Sequence, residues 1–200
     1  MLFEDTYKTL TAPAEGLYSE KKSKFIALAI PVKTEEEVKE KLASIRKQYH
    51  DARHHCYAYI LGPDKSAYRM NDDGEPSGTA GRPIYGQLLS FDVTNVLVVV
   101  VRYFGGIKLG VSGLLNAYKV AAKAALENSH IVEKTIEEIY KVNFDFSEMN
   151  AVMQILKDPE IKIIEQSFDI QNVIRFSIRQ READRFLSAL QKLKNVKVGL

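Results

Sequence analysis

The run VLVVVVRYFGGIKLGVSG, from Val96 to Gly113, constrains this chain more than any other stretch. Six apolar residues in succession, Val96 to Val101, cannot alternate between core and water, so they predict a central strand covered on both faces. Arg102, Tyr103 and Phe104 fall at its exit, and Gly105, Gly106, Gly110 and Gly113 follow. Glycines at that density let backbone N–H groups approach a ligand closely, and the N-terminus of a following helix adds partial positive charge. The loop is therefore a candidate anion site; a tight strand-to-helix turn with close packing explains the same glycines equally well. The spacing from Gly105 to Gly110 is that of a phosphate loop, but Val111 stands where the lysine must follow, with Ser112 after it. That excludes a working nucleoside-triphosphatase loop.

Two upstream stretches, DARHHCYAY (Asp51 to Tyr59) and NDDGEPSGTAGRP (Asn71 to Pro83), crowd polar, ionisable and glycine residues more densely than turns require. His54 and His55 are neighbours on an expected strand, so their side chains point to opposite faces and only one can enter a shared site. Asp72, Asp73 and Glu75 lie in a glycine-bearing loop and have the oxygen chemistry to hold a hard cation such as magnesium. The pair Asp73-Gly74 is equally an ordinary turn signal. Arg102, at the end of a buried strand, must either bridge to one of those carboxylates or face an anionic ligand. Tyr103 and Phe104 offer flat surfaces on which unpaired bases stack, with packing the preferred role for Phe104. Lys108 is the expected exposed cation of the loop.

Taken together, Ala52-x-His54-x-x-Tyr57-Ala58-Tyr59, then Asp72-Asp73-Gly74-Glu75, then Arg102-Tyr103-Phe104-Gly105-Gly106 with Leu109-Gly110 resemble the YigZ/IMPACT family in order and spacing. The resemblance covers the amino-terminal two-thirds strongly, and the tail looks like the smaller second domain of bacterial members. It implies that His54 is the family's histidine. It also implies a first domain like the ribosomal-protein-type fold used by domain IV of elongation factor G. Eukaryotic members resemble translation regulators that act in amino-acid-starvation signalling by competing for a kinase-activating protein. Bacterial members, with which this chain is grouped, are expected to lack their extra amino-terminal module. What transfers is a translation-linked role directed at RNA, the ribosome or a translation-associated protein.

Composition sets outer limits. With 46% hydrophobic and 27% charged residues over 200 positions, the chain can bury a real core in one large domain or two small ones. The single Cys56 excludes an internal disulfide framework and any zinc site with two thiolates. No apolar run reaches membrane-spanning length and MLFEDTYKTL is no secretory signal, so the expectation is a cytoplasmic protein without a membrane partner. Against 26 acidic residues stand 28 Lys and Arg, a net of +2, so any nucleic-acid contact must be local. Lys21-Lys22-Ser23-Lys24 reads as a solvated hairpin turn before it reads as such a contact.

Periodicity predicts an antiparallel pair at 15–21 and 25–32, then a helix opened by the capping box Thr34 and Glu37, with Val38, Leu42, Ile45 and Tyr49 in one stripe. Strands at 54–61 and 67–70, a short helix near 84–90, the buried strand and a helix over 113–128 complete a sheet with helices expected on one side. The tail reads as βαββαβ, the ferredoxin-like order: a strand at 137–144, a helix from Ser147 to Pro159, and strands at 161–168 and 173–178 about a turn at Asp169 to Asn172. A helix carrying Phe186, Leu187, Leu190 and Leu193 and a last strand at 196–198 follow. The prediction is an α+β protein of two domains, 1–132 and 133–200, joined by a short linker between Asn128 and Glu137.

Two functional classes compete. In the first, His54, Asp72, Asp73, Glu75, Arg102, Tyr103, Gly105, Gly106, Lys108 and Gly110 form a binding face for RNA, the ribosome or a translation-associated protein, with no catalytic residue, metal ligand or cofactor. In the second, His54 as base, the acidic loop holding a metal, and Arg102 steadying charge make a small hydrolase or phosphoryl-transfer site. The first is preferred, because the chain offers no activated Ser or Cys with a recognisable base and no two-His helix motif. Oligomeric state is left open.

Overall fold

The computed structural model describes residues 5–168 and 171–199. The chain forms two compact units, one of residues Tyr7–Lys134, the other of the chain from Thr135 onward together with the segment that ends at Thr6. The expected turn at Asp169 to Asn172 lies partly outside the described residues, at Asp169 and Ile170.

In the first unit, β1 (Thr6–Leu10) is followed by β2 (Ala14–Glu20), β3 (Ser23–Pro31), α1 (Glu35–Gln48), β4 (His54–Leu61) and β5 (Ala67–Asn71). Then come α2 (Gly81–Ser90), β6 (Val96–Tyr103), α3 (Gly110–Glu127) and β7 (Ile131–Thr135). Five strands make an antiparallel sheet in the order β2-β3-β6-β4-β5, with the valine run at its centre. Both parities of that run are buried. Val96, Val98 and Val100 join Phe25, Ala27, Ala29, Cys56, Ala58 and Ile60 beneath α2 and α3. Leu97, Val99 and Val101 join Ile26, Leu28, Ile30, Tyr57, Tyr59 and Leu61 beneath Val38 and Ile45 of α1.

The helices therefore cover both faces of the sheet, and the one-sided packing expected from element order is corrected. A strand apolar at every position cannot leave either face to water. Alanines on one face allow close approach: a Cβ on Gly16 would lie 2.3 Å from the Ala125 backbone nitrogen of α3. Thr34 accepts the Glu37 N–H as α1 begins, and Glu37 in turn accepts the Lys33 N–H. The KKSK turn is tighter than predicted. Glu20 pairs with Ser23, leaving Lys21 and Lys22 as a two-residue turn at φ 46° and 65°.

Within the span expected as a linker, β7 pairs with β1 in a separate two-stranded sheet. Thr11 N–H donates to the His130 carbonyl at 3.1 Å and Thr94 N–H to that of Lys8 at 2.9 Å, so the ladder groups of β1 are satisfied on both sides.

The second unit holds β8 (Glu137–Phe144), a 3-10 turn (Phe146–Glu148), α4 (Met149–Leu156), β9 (Ile161–Ser167), β10 (Asn172–Arg179), α5 (Gln180–Gln191) and β11 (Val196–Gly199). Its antiparallel sheet has the order β11-β8-β10-β9. Tyr140, Val142, Phe144, Ile174, Phe176 and Ile178 point to α4 and α5, where Val152, Leu156, Ala183, Phe186 and Leu190 meet them. Asp5 is tied into this unit by Arg179, whose Nε and Nη2 reach its carboxylate at 2.6 and 2.8 Å. That guanidinium holds the Asp5 carboxyl below its ordinary range. Among the described residues no helix is long and apolar enough to cross a membrane.

Candidate functional site

The register of β6 builds the site. Arg102 pairs with Phe25 on one side and with His54 on the other, so all three lie in one row on the sheet face that carries α2 and α3. The loop after β5 folds over that row and brings Glu75 down. Its Oε1 accepts from Arg102 Nη1 at 2.5 Å and from the Tyr118 hydroxyl of α3 at 2.7 Å. The side chains of Arg102 and Glu75 are only 7% and 4% exposed, so the ion pair is shielded from water. The guanidinium lies 5.4 Å from the centre of the Phe25 ring and 5.6 Å from that of Phe104. Arg102 Nε has no hydrogen-bond partner among the described residues.

Cys56 extends the network. Its thiol donates to the Asp72 carbonyl at 3.0 Å and lies 3.3 Å from the Tyr118 hydroxyl. Burial pushes the Cys56 thiol well above its ordinary value, and burial followed by the neighbouring Cys56 and Glu75 does the same for Tyr118. Both groups are held protonated, as donors.

The acidic loop is engaged by its own chain. Asp72 accepts the N–H groups of Gly78, Ala80 and Gly81 at 2.8, 2.9 and 2.8 Å, which caps α2 from outside the helix. Asp73, at φ 42°, accepts from Arg46 Nη2 at 2.8 Å and from the His55 N–H at 2.6 Å. Burial works to raise the Asp73 carboxyl, yet the Arg46 guanidinium and the His55 N–H together hold it below its ordinary value. Its carbonyl lies 2.9 Å from His54 Nδ1, which a carbonyl acceptor assigns as the protonated nitrogen. His55 turns to the other face, where its Nε2 meets the Tyr49 carbonyl at 3.0 Å. Among the described residues, no three His, Cys, Asp or Glu side chains are disposed to share a metal ion.

The remaining candidates separate. Tyr103 points away from the network and donates to Asp51 at 2.7 Å. Gly105 packs against the β2–β3 turn, where an added Cβ would lie 2.0 Å from the Lys22 carbonyl carbon. Gly106 and Gly110, at φ 86° and 75°, have open space about them, and Lys108 is exposed between them. The structure thus gathers His54, Glu75 and Arg102, uses Asp72, Asp73, Tyr103 and Gly105 as anchors, and leaves Gly106, Lys108 and Gly110 on an outer loop.

Beside the network runs a groove of about 690 Å³ between residues 77–83 and the first turns of α3, lined by Ser77, Thr79, Arg82, Ser112, Asn116 and Lys119 among others. Both helices begin earlier than periodicity predicts, at Gly81 and Gly110 in place of Ile84 and Gly113. Pro83 is tolerated because it sits in the first turn. Arg82 and Lys119 were not among the predicted residues. A signal for Lys119 exists: Val111, Leu115 and Lys119 recur every fourth position on the exposed side of α3, opposite its core stripe of Leu114, Tyr118, Ala121 and Ala125. Tyr118 carries no such sign, since a buried tyrosine on a helix reads as core.

This geometry belongs to a recognisable class. The Impact N-terminal domain family matches residues 21–126. The IMPACT family member YvyE of Bacillus subtilis is 32% identical over 96% of this chain and 88% of its own. YigZ of Escherichia coli, named as a member of the same family, is 34% identical over 90% of this chain and 89% of its own. A crystal structure described only as that of a hypothetical protein superposes with a TM-score of 0.76 at 30% identity, covering 98% of this chain and 97% of that one. The chain belongs to the IMPACT family.

Proposed function

We propose that this protein is a translation-associated binding and regulatory protein, acting in the cytoplasm, whose first unit offers the groove between residues 77–83 and α3 to RNA, on the ribosome or near it. The observation that carries this reading is the engagement of the acidic motif. Asp72, Asp73 and Glu75 are each held by two or three protein donors, so they are engaged within the fold and are not presented to a substrate. What the surface presents is cationic and hydrogen-bonding: Arg82, Lys119, Ser112 and Asn116, with Lys108 on the adjoining loop. The translational setting comes with the family resemblance.

The finer architecture follows the same reading. A five-stranded sheet with the motif loops at one end supports a ribosomal-protein-like first domain, akin to domain IV of elongation factor G. The second unit's strand order β11-β8-β10-β9 supports a ferredoxin-like second domain, the division falling near residues 132–135.

Titration of hairpin and single-stranded RNA at several salt concentrations, with ribosome co-sedimentation, tests the function. Binding should weaken as salt rises, and Arg82→Ala and Lys119→Ala should each make the log–log salt slope shallower by about one. Absence of RNA and ribosome binding, combined with magnesium-dependent turnover of a phosphoester that His54→Ala abolishes, overturns it in favour of the hydrolytic reading.

A further inference from the structure

The second unit carries a site of different chemistry at one end of its sheet. A cavity of about 650 Å³ is walled there by Asn143 of β8, by Asp145 and Phe146 just after it, by Asn172 of β10, and by Asn195 and Lys197 around the start of β11. That size lies within the roughly 300–1,000 Å³ common for small-ligand sites. Phe146 is 78% exposed, the most of any large apolar side chain among the described residues, and it takes no part in the core of its unit. A ring in water beside an amide-walled cavity offers a stacking surface.

The amides supply edge recognition. Asn172 donates through Nδ2 to the Phe144 carbonyl at 3.1 Å, which fixes its orientation. The side chains of Asn143 and Asn195 make no such bond among the described residues. Amide groups present a donor beside an acceptor, the complement of a nucleobase edge, and the Asp145 carboxylate can accept from a base N–H, the ring N3–H of a uracil included. Charge follows along the sheet. Lys197 pairs with Asn143, and Lys141, two residues before Asn143, pairs with Arg175. All lie on the face away from α4 and α5, with Lys141, Arg175 and Lys197 exposed. Arg175 lies 3.3 Å from Glu165; Lys141 and Lys197 have no acidic partner among the described residues.

We infer that this cavity binds an unpaired nucleotide of single-stranded RNA. Phe146 stacks the base, the asparagines read its edge, and Lys197 with Lys141 holds the flanking phosphates. The choice of RNA rests on the translational reading above; the base-and-phosphate chemistry stands apart from it.

The test uses the full chain and a fluorescent eight-nucleotide oligouridylate carrying one 4-thiouridine, read by anisotropy and by mapping the photo-crosslinked peptide. The inference expects a crosslink within residues 143–146 or 172–197, and binding about tenfold weaker in Phe146→Ala with an unchanged melting curve. Lys197→Glu should weaken binding further and flatten its salt dependence. Crosslinks confined to residues 77–119, with Phe146→Ala binding like the parent, overturn this inference and leave the function proposed for the first unit standing. Failure to bind the oligonucleotide at all also overturns it, and ribosome co-sedimentation then judges that function separately.

Discussion

The two sheets of this protein put their polar residues to opposite uses. In the first unit the central strand is covered on both faces, and the polar groups that the motifs carry inward find partners in the protein, Arg102 Nε excepted. Arg102, Glu75, Tyr118 and Cys56 do so through one another, and Asp72 and Asp73 through backbone N–H groups and Arg46. In the second unit helices cover one face, and the other carries Lys141, Arg175 and Lys197 exposed to water. The acidic and arginine motif residues most conspicuous in the sequence are thus held by partners within the protein, whereas Asn143, Asn195, Lys141 and Lys197 of the tail have no side-chain partner among the described residues.

Substitutions probe that contrast in descending order. Glu75→Ala leaves a buried guanidinium uncompensated and should cost about 3–5 kcal/mol by urea unfolding, and pairing Glu75→Leu with Arg102→Met should recover much of it. A loss under about 1 kcal/mol would show that the pair is not shielded as its geometry indicates. Gly105→Ala drives a Cβ into the Lys22 backbone and should lower stability by about 1–3 kcal/mol. Asp72→Ala frees three N–H groups at the start of α2, for a loss of about 1–2 kcal/mol with fraying visible in hydrogen exchange.

The next effect depends on pH. Because the folded Asp73 carboxyl lies below its ordinary value, its contribution is fully present above roughly pH 4 and is lost as pH falls through the folded value. The stability gap between the parent and Asp73→Asn should therefore narrow on acidification from pH 5 to pH 2. Smallest of all, Lys141→Ala in the second unit should change stability by no more than about 0.5 kcal/mol. A larger loss would mean that this face is part of the scaffold after all.

Much of the local structure could be read from pattern. The valine run identified a central strand because six apolar side chains in a row permit no other environment. The alternation of side chains along β4 sent His54 and His55 to opposite faces, as they stand. Where expectation failed, contacts distant in sequence were responsible. Thr6–Leu10 has no strong pattern of its own and becomes a strand only because β7 and residues 93–94 receive its backbone. The early start of α2 depends on Asp72, which lies nine residues before Gly81 and outside any helical signature.

The candidate site divides along the same line. Three motif segments announced polar chemistry and the need of Arg102 for a carboxylate, because a buried guanidinium is costly unless paired. Which carboxylate it takes was open among Asp72, Asp73 and Glu75 until the fold of the loop over β6 selected Glu75.

Residue type and spacing by themselves determined the strand core, the facing of each side chain along it, and the family to which the motifs point, since these depend on neighbours in the chain. Tertiary structure alone decided that α1 lies opposite α2 and α3, that Tyr118 joins the ion pair, and that Arg82 and Lys119 border one groove. Each of those facts is a distance between residues far apart in sequence, and such distances are set by packing the whole core at once.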